Sequence, residues 1–439
     1  MGYNQKDEQN NNEKEESTID SPIDLEEKNL TDFLELPDRD ILAKTRPFYE
    51  FTETLFHHGF HHWHRILTSP SERRVKILDR YTNTEREMVM MAANNYLGLT
   101  THPRVKEAAL RALEKYGIGA GSVPLFGGTL DLHRELEQKL AAMKGCEDAI
   151  IFTSGYSSNV GCVSALVRKD DVAINDRLNH ASLIDGCRLS GGTLRAFRHN
   201  DMESLEKVLA SCDREFQGKL IIVDGVFSMD GDISPLPEIK KLADKYGARI
   251  MIDEAHATGV IGENGRGTPE HFHMEGQIDV VAGTLSKALA GVGGFVASSR
   301  EVVNYLRFYA RSYMFSTALP PAVTSGLIAA IDVIQTEPEL RRKLWRNIDY
   351  MLGNLRKMGF DLGNAQTAII PIIVGDEKHL KLMSKEIHEA GIFVNSVYYP
   401  AVPKKLCRLR LSLMATHTQE DLDDTLAVLE RVGKKYGLI

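Results

Sequence analysis

Residues 249–262 read RIMIDEAHATGVIG, an apolar run that ends on an acid, followed three residues later by a histidine and then by glycine. Similar runs recur along the chain: AIIFTS (149–154), DVAIND (171–176), KLIIVDG (219–225), DVVAGTL (279–285) and GGFVASS (293–299). Each is short and almost continuously apolar, the pattern of a strand buried on both faces. Between them, 129–144, 201–212 and 235–246 carry apolar residues at helical spacing. Strands alternating with helices predict an α/β fold built on a mostly parallel sheet with helices on both sides. In such sheets ligands sit beyond the carboxyl ends of the strands. The polar residues that follow these runs are therefore the candidates for chemistry.

Four of those ends converge on one kind of ligand. Asp253 closes a buried strand, where a carboxylate needs a cation or a hydrogen-bond donor to offset desolvation. A protonated pyridine ring would serve, although an isolated DEAH reads more readily as a structural, helix-capping acid. The next run ends in GTLSKALAGVGG (283–294), which sets Thr284, Ser286 and Lys287 in a glycine-flanked turn, 287 − 253 = 34 residues after the acid. Hydroxyls there suit a phosphate and the amine suits a Schiff base with an aldehyde. FTSGYSSN (152–159) follows a strand and opens a helix, so the amides near Gly155 and Tyr156 can cradle a phosphate. DRLNHASLIDG places His180 after another strand, where an imidazole can stack on an aromatic ring.

The rest of the chain bounds the answer. It has 439 residues, 43% hydrophobic and 26% charged, with formal net charge −8 and five scattered cysteines. An acidic balance argues against nucleic acid as a partner, and cysteines without a CxxC indicate a reduced, cytoplasmic chain. No apolar run is long enough to span a bilayer, so any association with the inner membrane is expected to be peripheral. Four regions are expected: a disordered acidic tail (1–30), an N-terminal helical segment and hairpin (31–90), a large domain (91–330) and a smaller C-terminal α+β domain (331–439). Phe48, Phe51, Leu55 and Phe56 predict an amphipathic helix, and KILDRYTNTEREMVMMAANNYLG a hairpin. A long helical stretch over about 320–358 leads to strands at 368–375, 392–399 and 408–415 and a C-terminal helix. The histidine-rich FHHGFHHWHR (56–65) has helical i, i+3 and i+4 pairs but no acid or cysteine to complete a metal site. It is expected to extend the N-terminal helix through Phe56, Phe60 and Trp63, near an acyl tunnel or a membrane surface, with no metal.

These motifs, with NNYLGL (94–99), DGVFSMDGD (224–232), MFSTALPP (314–321) and RLRLSLMATHT (408–418), resemble the α-oxoamine synthase family of pyridoxal 5'-phosphate (PLP) enzymes. Within it, GTLDLH (128–133), LWRNIDY (344–350), FDLG (360–363) and NSVYYPAVP (395–403) are most similar to bacterial serine palmitoyltransferases. The resemblance implies the fold-type I, aspartate aminotransferase-like transferase fold, with Lys287 bound to PLP, Asp253 on the pyridine nitrogen and His180 stacked on the ring. It implies His256 and Ser228 at the phenolic oxygen, and Gly155, Tyr156, Thr284 and Ser286 at the phosphate. Ser316 and Thr317 would reach that phosphate from the second protomer of a homodimer. Arg410 would fork onto the amino-acid carboxylate, with Asn94 beside it.

The implied reaction condenses L-serine with a long-chain acyl-CoA or acyl carrier protein thioester. It gives 3-ketodihydrosphingosine, CO2 and free thiol, the first step of sphingolipid synthesis. Cysteate fatty acyltransferase, 2-amino-3-ketobutyrate CoA ligase and 8-amino-7-oxononanoate synthase would use the same core. A transaminase or aldolase is a more distant alternative, and a silent partner subunit would lack Lys287. One departure stands out: GIGAGSVPLFGG (117–128) has Val123-Pro124 where relatives usually carry an arginine.

Overall fold

The computed structural model describes residues 29–35, 37–60, 63–79 and 83–439. Nearly all of the expected acidic tail, together with His61 and His62, lies outside them. Contacts divide the chain into two compact units, residues 1–61 and 62–439.

In the second unit the chain opens with β1 (Ile66–Leu67) and the predicted hairpin, β2 (Arg74–Leu78) paired antiparallel with β3 (Glu85–Met90). The six apolar runs are all strands, with ends within two residues of expectation: β4 (Asp148–Phe152), β5 (Asp171–Asp176), β7 (Gly218–Asp224), β8 (Arg249–Asp253), β9 (Val280–Thr284) and β10 (Gly294–Ser298). The sequence reading missed β6 (Thr193–Phe197), one of the two edge strands. Sheet order is β4-β10-β9-β8-β7-β5-β6. Pairings from β9 to β6 are parallel, whereas β10 runs antiparallel to both β9 and β4. Reversed twice, β4 points the same way as β9. The carboxyl ends of β4, β5, β7, β8 and β9 therefore share one edge.

The continuous apolar runs are explained by burial on both sides. Ile222, Met251, Ala282 and Val296 pack into one core, and Ile221, Val223, Ile250 and Ile252 into another. Each fully buried aliphatic side chain contributes about 1.5–3 kcal/mol relative to exposure.

The expected long helix is two helices, Pro321–Thr336 and Pro338–Met358, because Glu337, ahead of a proline, leaves helical geometry at φ −124° and ψ 61°. Beyond it, β11 (Ile369–Ile373), β13 (Asn395–Val397) and β14 (Arg408–Ser412) form an antiparallel sheet ordered β11-β14-β13. The single strand expected at 392–399 is split, since β12 (Ile392–Phe393) pairs with β3 instead. Helix Gln419–Lys435 ends the fold. Among the described residues no helix is long and apolar enough to cross a membrane.

In the first unit the predicted helix spans Thr45–His57, with Phe33 packed against Phe48 and Phe51. It does not continue through Phe60 and Trp63, which corrects the expectation for the histidine run. Gly59 adopts φ 73°, and its amide and that of Phe60 bond back to the Phe56 and Leu55 carbonyls at 2.9 Å each. That is a Schellman stop, which glycine at this position favours. Trp63 belongs to the second unit, where it packs edge-on against Tyr398.

Candidate active site

Strand register decides what meets at the common edge. Asp253 and Asp224 end neighbouring parallel strands as direct partners. Asp253 is 5% exposed, and it accepts from Asn159 Nδ2 at 2.6 Å and from the Ala255 amide at 2.9 Å. Asn159 Nδ2 also donates to Ser182 Oγ at 2.9 Å, and that hydroxyl lies 2.7 Å from His180 Nδ1. One chain of hydrogen bonds thus links the acid to the imidazole. Among the described residues the Asp224 carboxylate has a single weak partner, the His180 amide at 3.4 Å. Burial, with Asp253 adding to it, raises its pKa well above the carboxylate range.

Lys287 follows β9 in the same pocket. Burial lowers its amine from 10.5 to about 8; Asp253 opposes the fall and Arg410 adds to it. Beside it, Thr284 Oγ1 lies 2.7 Å from Ser286 Oγ and donates to the Gly293 carbonyl at 3.1 Å. Across the gap, Ser154 caps helix Gly155–Leu166 by accepting from the Ser157 amide at 3.0 Å, which leaves the first-turn amides of Gly155 and Tyr156 outside the helical ladder. Glycine is required at 155, where a Cβ would stand 2.9 Å from Thr284 Cβ. The Tyr156 hydroxyl is turned to Asp185, 2.6 Å away.

His256 is buried, with Nδ1 2.6 Å from the hydroxyl of Tyr96. Burial first, then the nearby cations Lys287 and Arg410, hold the imidazole pKa well below its ordinary value, so the ring is neutral. Burial also pushes the Tyr96 phenol up to about 12. Ser228 was expected, with His256, at the phenolic oxygen of the cofactor. In the structure its carbonyl accepts from Arg410 Nε at 2.6 Å. The Arg410 guanidinium, on β14, also donates to Ser412 Oγ at 3.0 Å and more distantly to Asn94 Oδ1 at 3.5 Å. Every one of these acceptors is neutral, and the residue is 5% exposed. A buried cation with no carboxylate beside it is a ready receptor for one.

Ser316 and Thr317 stand apart from this group within the chain. They line a separate cavity of about 200 Å³ with Leu125, Phe152 and Leu319. The Val123-Pro124 departure starts a single π turn, Pro124–Gly128, that leaves Phe126 90% exposed.

The sequence reading brought together Lys287, Asp253, His180, His256, Thr284, Ser286, Gly155, Asn94 and Arg410, and missed Tyr96, Asn159, Ser182 and Asp224. All four lie inside quoted motifs, but only the register shows what they touch. The residues present fit PLP. They supply an anion cradle that admits only glycine, a lysine amine depressed toward neutrality, a carboxylate held for a pyridine nitrogen, and a buried acceptor, Asn159 Oδ1, with no protein partner.

Comparison with known proteins agrees. The family model for aminotransferase class I and II matches residues 86–429. The chain is 47% identical over 374 residues, 85% of its length and 93% of the relative's, to an 8-amino-7-oxononanoate synthase of Thermoanaerobacter pseudethanolicus. It is 43% identical over 411 residues to 4-hydroxy-2,2'-bipyrrole-5-methanol synthase PigH of Serratia sp., a match that spans 94% of this chain and 63% of PigH. Among solved structures, the serine palmitoyltransferase of Sphingomonas wittichii superposes with a TM-score of 0.86 at 35% identity, covering 91% of this chain and all of the other.

Proposed function

The chain belongs to the α-oxoamine synthase family of PLP-dependent transferases, and from that premise we propose that it condenses a small L-amino acid with an acyl thioester, releasing CO2 and free thiol. The observation that carries the reading is the uncompensated Arg410 guanidinium sharing a buried pocket with the Lys287 amine. Lys287, Asp253 and the Gly155–Thr284 cradle would hold PLP, which when bound would supply an electron sink for the substrate Cα. Arg410 holds the amino-acid carboxylate as a bidentate fork, with Asn94 fixing the guanidinium. Lys287, neutral in a substantial fraction near pH 8, takes the Cα proton and later returns one. His180, tethered through Ser182 and Asn159 to Asp253, keeps the reacting plane in register with the acid. Neutral His256, paired with Tyr96 at Nδ1, has Nε2 left to meet the phenolic oxygen. Ser316 and Thr317 serve the site of the partner in a homodimer.

For the substrates, the 43–47% identical relatives support the alternative over L-serine and a long-chain donor. Several of them are named 8-amino-7-oxononanoate synthase. A nine-carbon product that keeps two carbons of L-alanine requires a seven-carbon dicarboxylic acyl thioester, so L-alanine with a pimeloyl thioester is the first reading. The second, L-serine with a palmitoyl thioester, is supported by serine palmitoyltransferase structures that cover 91% of this chain, at a lower 34% identity. The test is a matrix of L-alanine, L-serine, glycine and cysteate against pimeloyl and palmitoyl thioesters, on CoA and on carrier protein, scored by CO2 and thiol release. L-alanine with the pimeloyl donor should give the highest kcat/KM. A clear preference for serine with palmitoyl thioester would reverse the order of the two readings, and no thiol release with any pair would reject the condensation.

A further inference from the structure

A second cavity, about 650 Å³, lies between the loop that follows His256 and helix Pro338–Met358. Four arginines line it, Arg266, Arg341, Arg342 and Arg346, against two acids, Glu263 and Asp349, a formal balance of 4 − 2 = +2. Trp345 forms part of the wall, fixed by its indole Nε1 donating to the Val260 carbonyl at 3.0 Å. Arg341 is 6% exposed, yet its side chain has one hydrogen-bond acceptor, the backbone carbonyl of Glu263, and no carboxylate within ion-pair distance among the described residues. Burying a guanidinium with a single acceptor and no carboxylate in contact is costly; Glu270 and Glu263 act on it only at longer range. Burial lowers its pKa, the nearby Glu270 carboxylate opposes the fall, Arg342 adds to it and Glu263 opposes it. Arg266, Arg342 and Arg346 are exposed and make no side-chain ion pair among the described residues. The cavity is large enough for a small organic ligand, and the exposed Arg342 and Arg346 at its lining, without ion-pair partners among the described residues, favour an anionic one.

We propose that this cavity binds a small molecule carrying adjacent phosphates, of the nucleoside diphosphate class, with Arg341 at the floor and Arg342 and Arg346 at the rim. Guanidinium groups match phosphate oxygens two at a time, and Trp345 offers an apolar surface to a planar base. The site is separate from the pocket of Lys287. The same chemistry has two sources, a free nucleotide or the nucleotide end of a CoA thioester. The wall is joined to the catalytic turn, since Gly259, one residue before Val260, packs so closely that a Cβ there would lie 3.0 Å from Ala288 Cβ.

The experiment is isothermal titration of the PLP-loaded protein with ADP and with pyrophosphate, repeated on an R342E/R346E variant. The variant is first checked for unchanged bound-cofactor absorbance and thermal midpoint. Saturable binding that weakens at least tenfold in the variant is expected. Repeating the ADP titration with saturating CoA then identifies the source: competition assigns the CoA nucleotide, and unchanged binding assigns a free nucleotide. No saturable binding of either probe, or equal binding by the variant, would overturn the proposal.

Discussion

Removing Asp253 and Arg410 one at a time should drive the titration of Lys287 in opposite directions. Its amine titrates at about 8 where 10.5 is ordinary; burial is the main cause, with the Asp253 carboxylate resisting and the Arg410 cation assisting. At pH 7 an amine of pKa 8 is neutral in about one molecule in ten, against ~0.03% at 10.5, a gain of ~300-fold in the form that can attack an aldehyde. A charge at close range changes a pKa by roughly one or more. Asp253→Asn, which removes the anion that favours the ammonium, should therefore carry the titration down and the neutral fraction at pH 7 to about one half. Arg410→Gln, which removes a repelling cation, should carry it up and leave about one in a hundred neutral. The assay is competitive acetylation of the cofactor-stripped protein across pH, with the Lys287 peptide quantified by mass spectrometry against an exposed lysine. An inflection near 10.5 in the unsubstituted protein, or the same direction of change in both variants, would refute the electrostatic account.

Other outcomes follow from single contacts. Gly155→Ala places a methyl 2.9 Å from Thr284 Cβ and should weaken PLP binding at least tenfold by fluorescence titration, with a loss of about 1–3 kcal/mol in the stability of the stripped protein as the crowded turn shifts. Arg410→Leu should retain PLP while the KM for the amino acid rises roughly 10- to 100-fold, the worth of charge-assisted hydrogen bonds; an unchanged KM would remove Arg410 from substrate binding. Asn159→Leu strips Asp253 of its 2.6 Å donor and should cost about 1–3 kcal/mol in urea denaturation of the stripped protein. Lys144→Met leaves the fully buried Glu254 without its cation, 3.4 Å away, and should cost about 3–5 kcal/mol by the same measurement.

How much could be read beforehand depended on burial. The central strands were legible because both faces are covered, so their apolar runs are unbroken. β6 was not, since Thr193–Phe197 is an edge strand with Arg195 and Ala196 exposed and carries no such run. The 392–399 segment reads as one strand because nothing local says that Ile392–Phe393 pairs with one sheet and Asn395–Val397 with another. Lys287, Asp253 and Arg410 could be named from residue type and neighbours. Tyr96 and Asn159 could not be given roles, because a tyrosine in NNYLGL and an asparagine in SGYSSN acquire meaning only when His256 and Asp253 arrive from 160 and 94 residues away. The histidine run misled for the opposite reason, its composition outweighing the single glycine that stops the helix.

The antiparallel strand β10 has a consequence for how the molecule is made. The phosphate cradle joins Gly155 to Thr284, 284 − 155 = 129 residues apart, and the two supporting strands, β4 and β9, do not touch each other. They are bridged by β10, which is the last of the seven to be synthesised. Until residue 298 has left the ribosome, β4 lacks its one sheet partner and β9 keeps one edge unpaired, the kind of edge that recruits other chains. A nascent chain of this protein therefore stays unable to hold its cofactor through about two-thirds of its translation, until β10 joins β4 to β9 and covers the last open edge of β9 in one event.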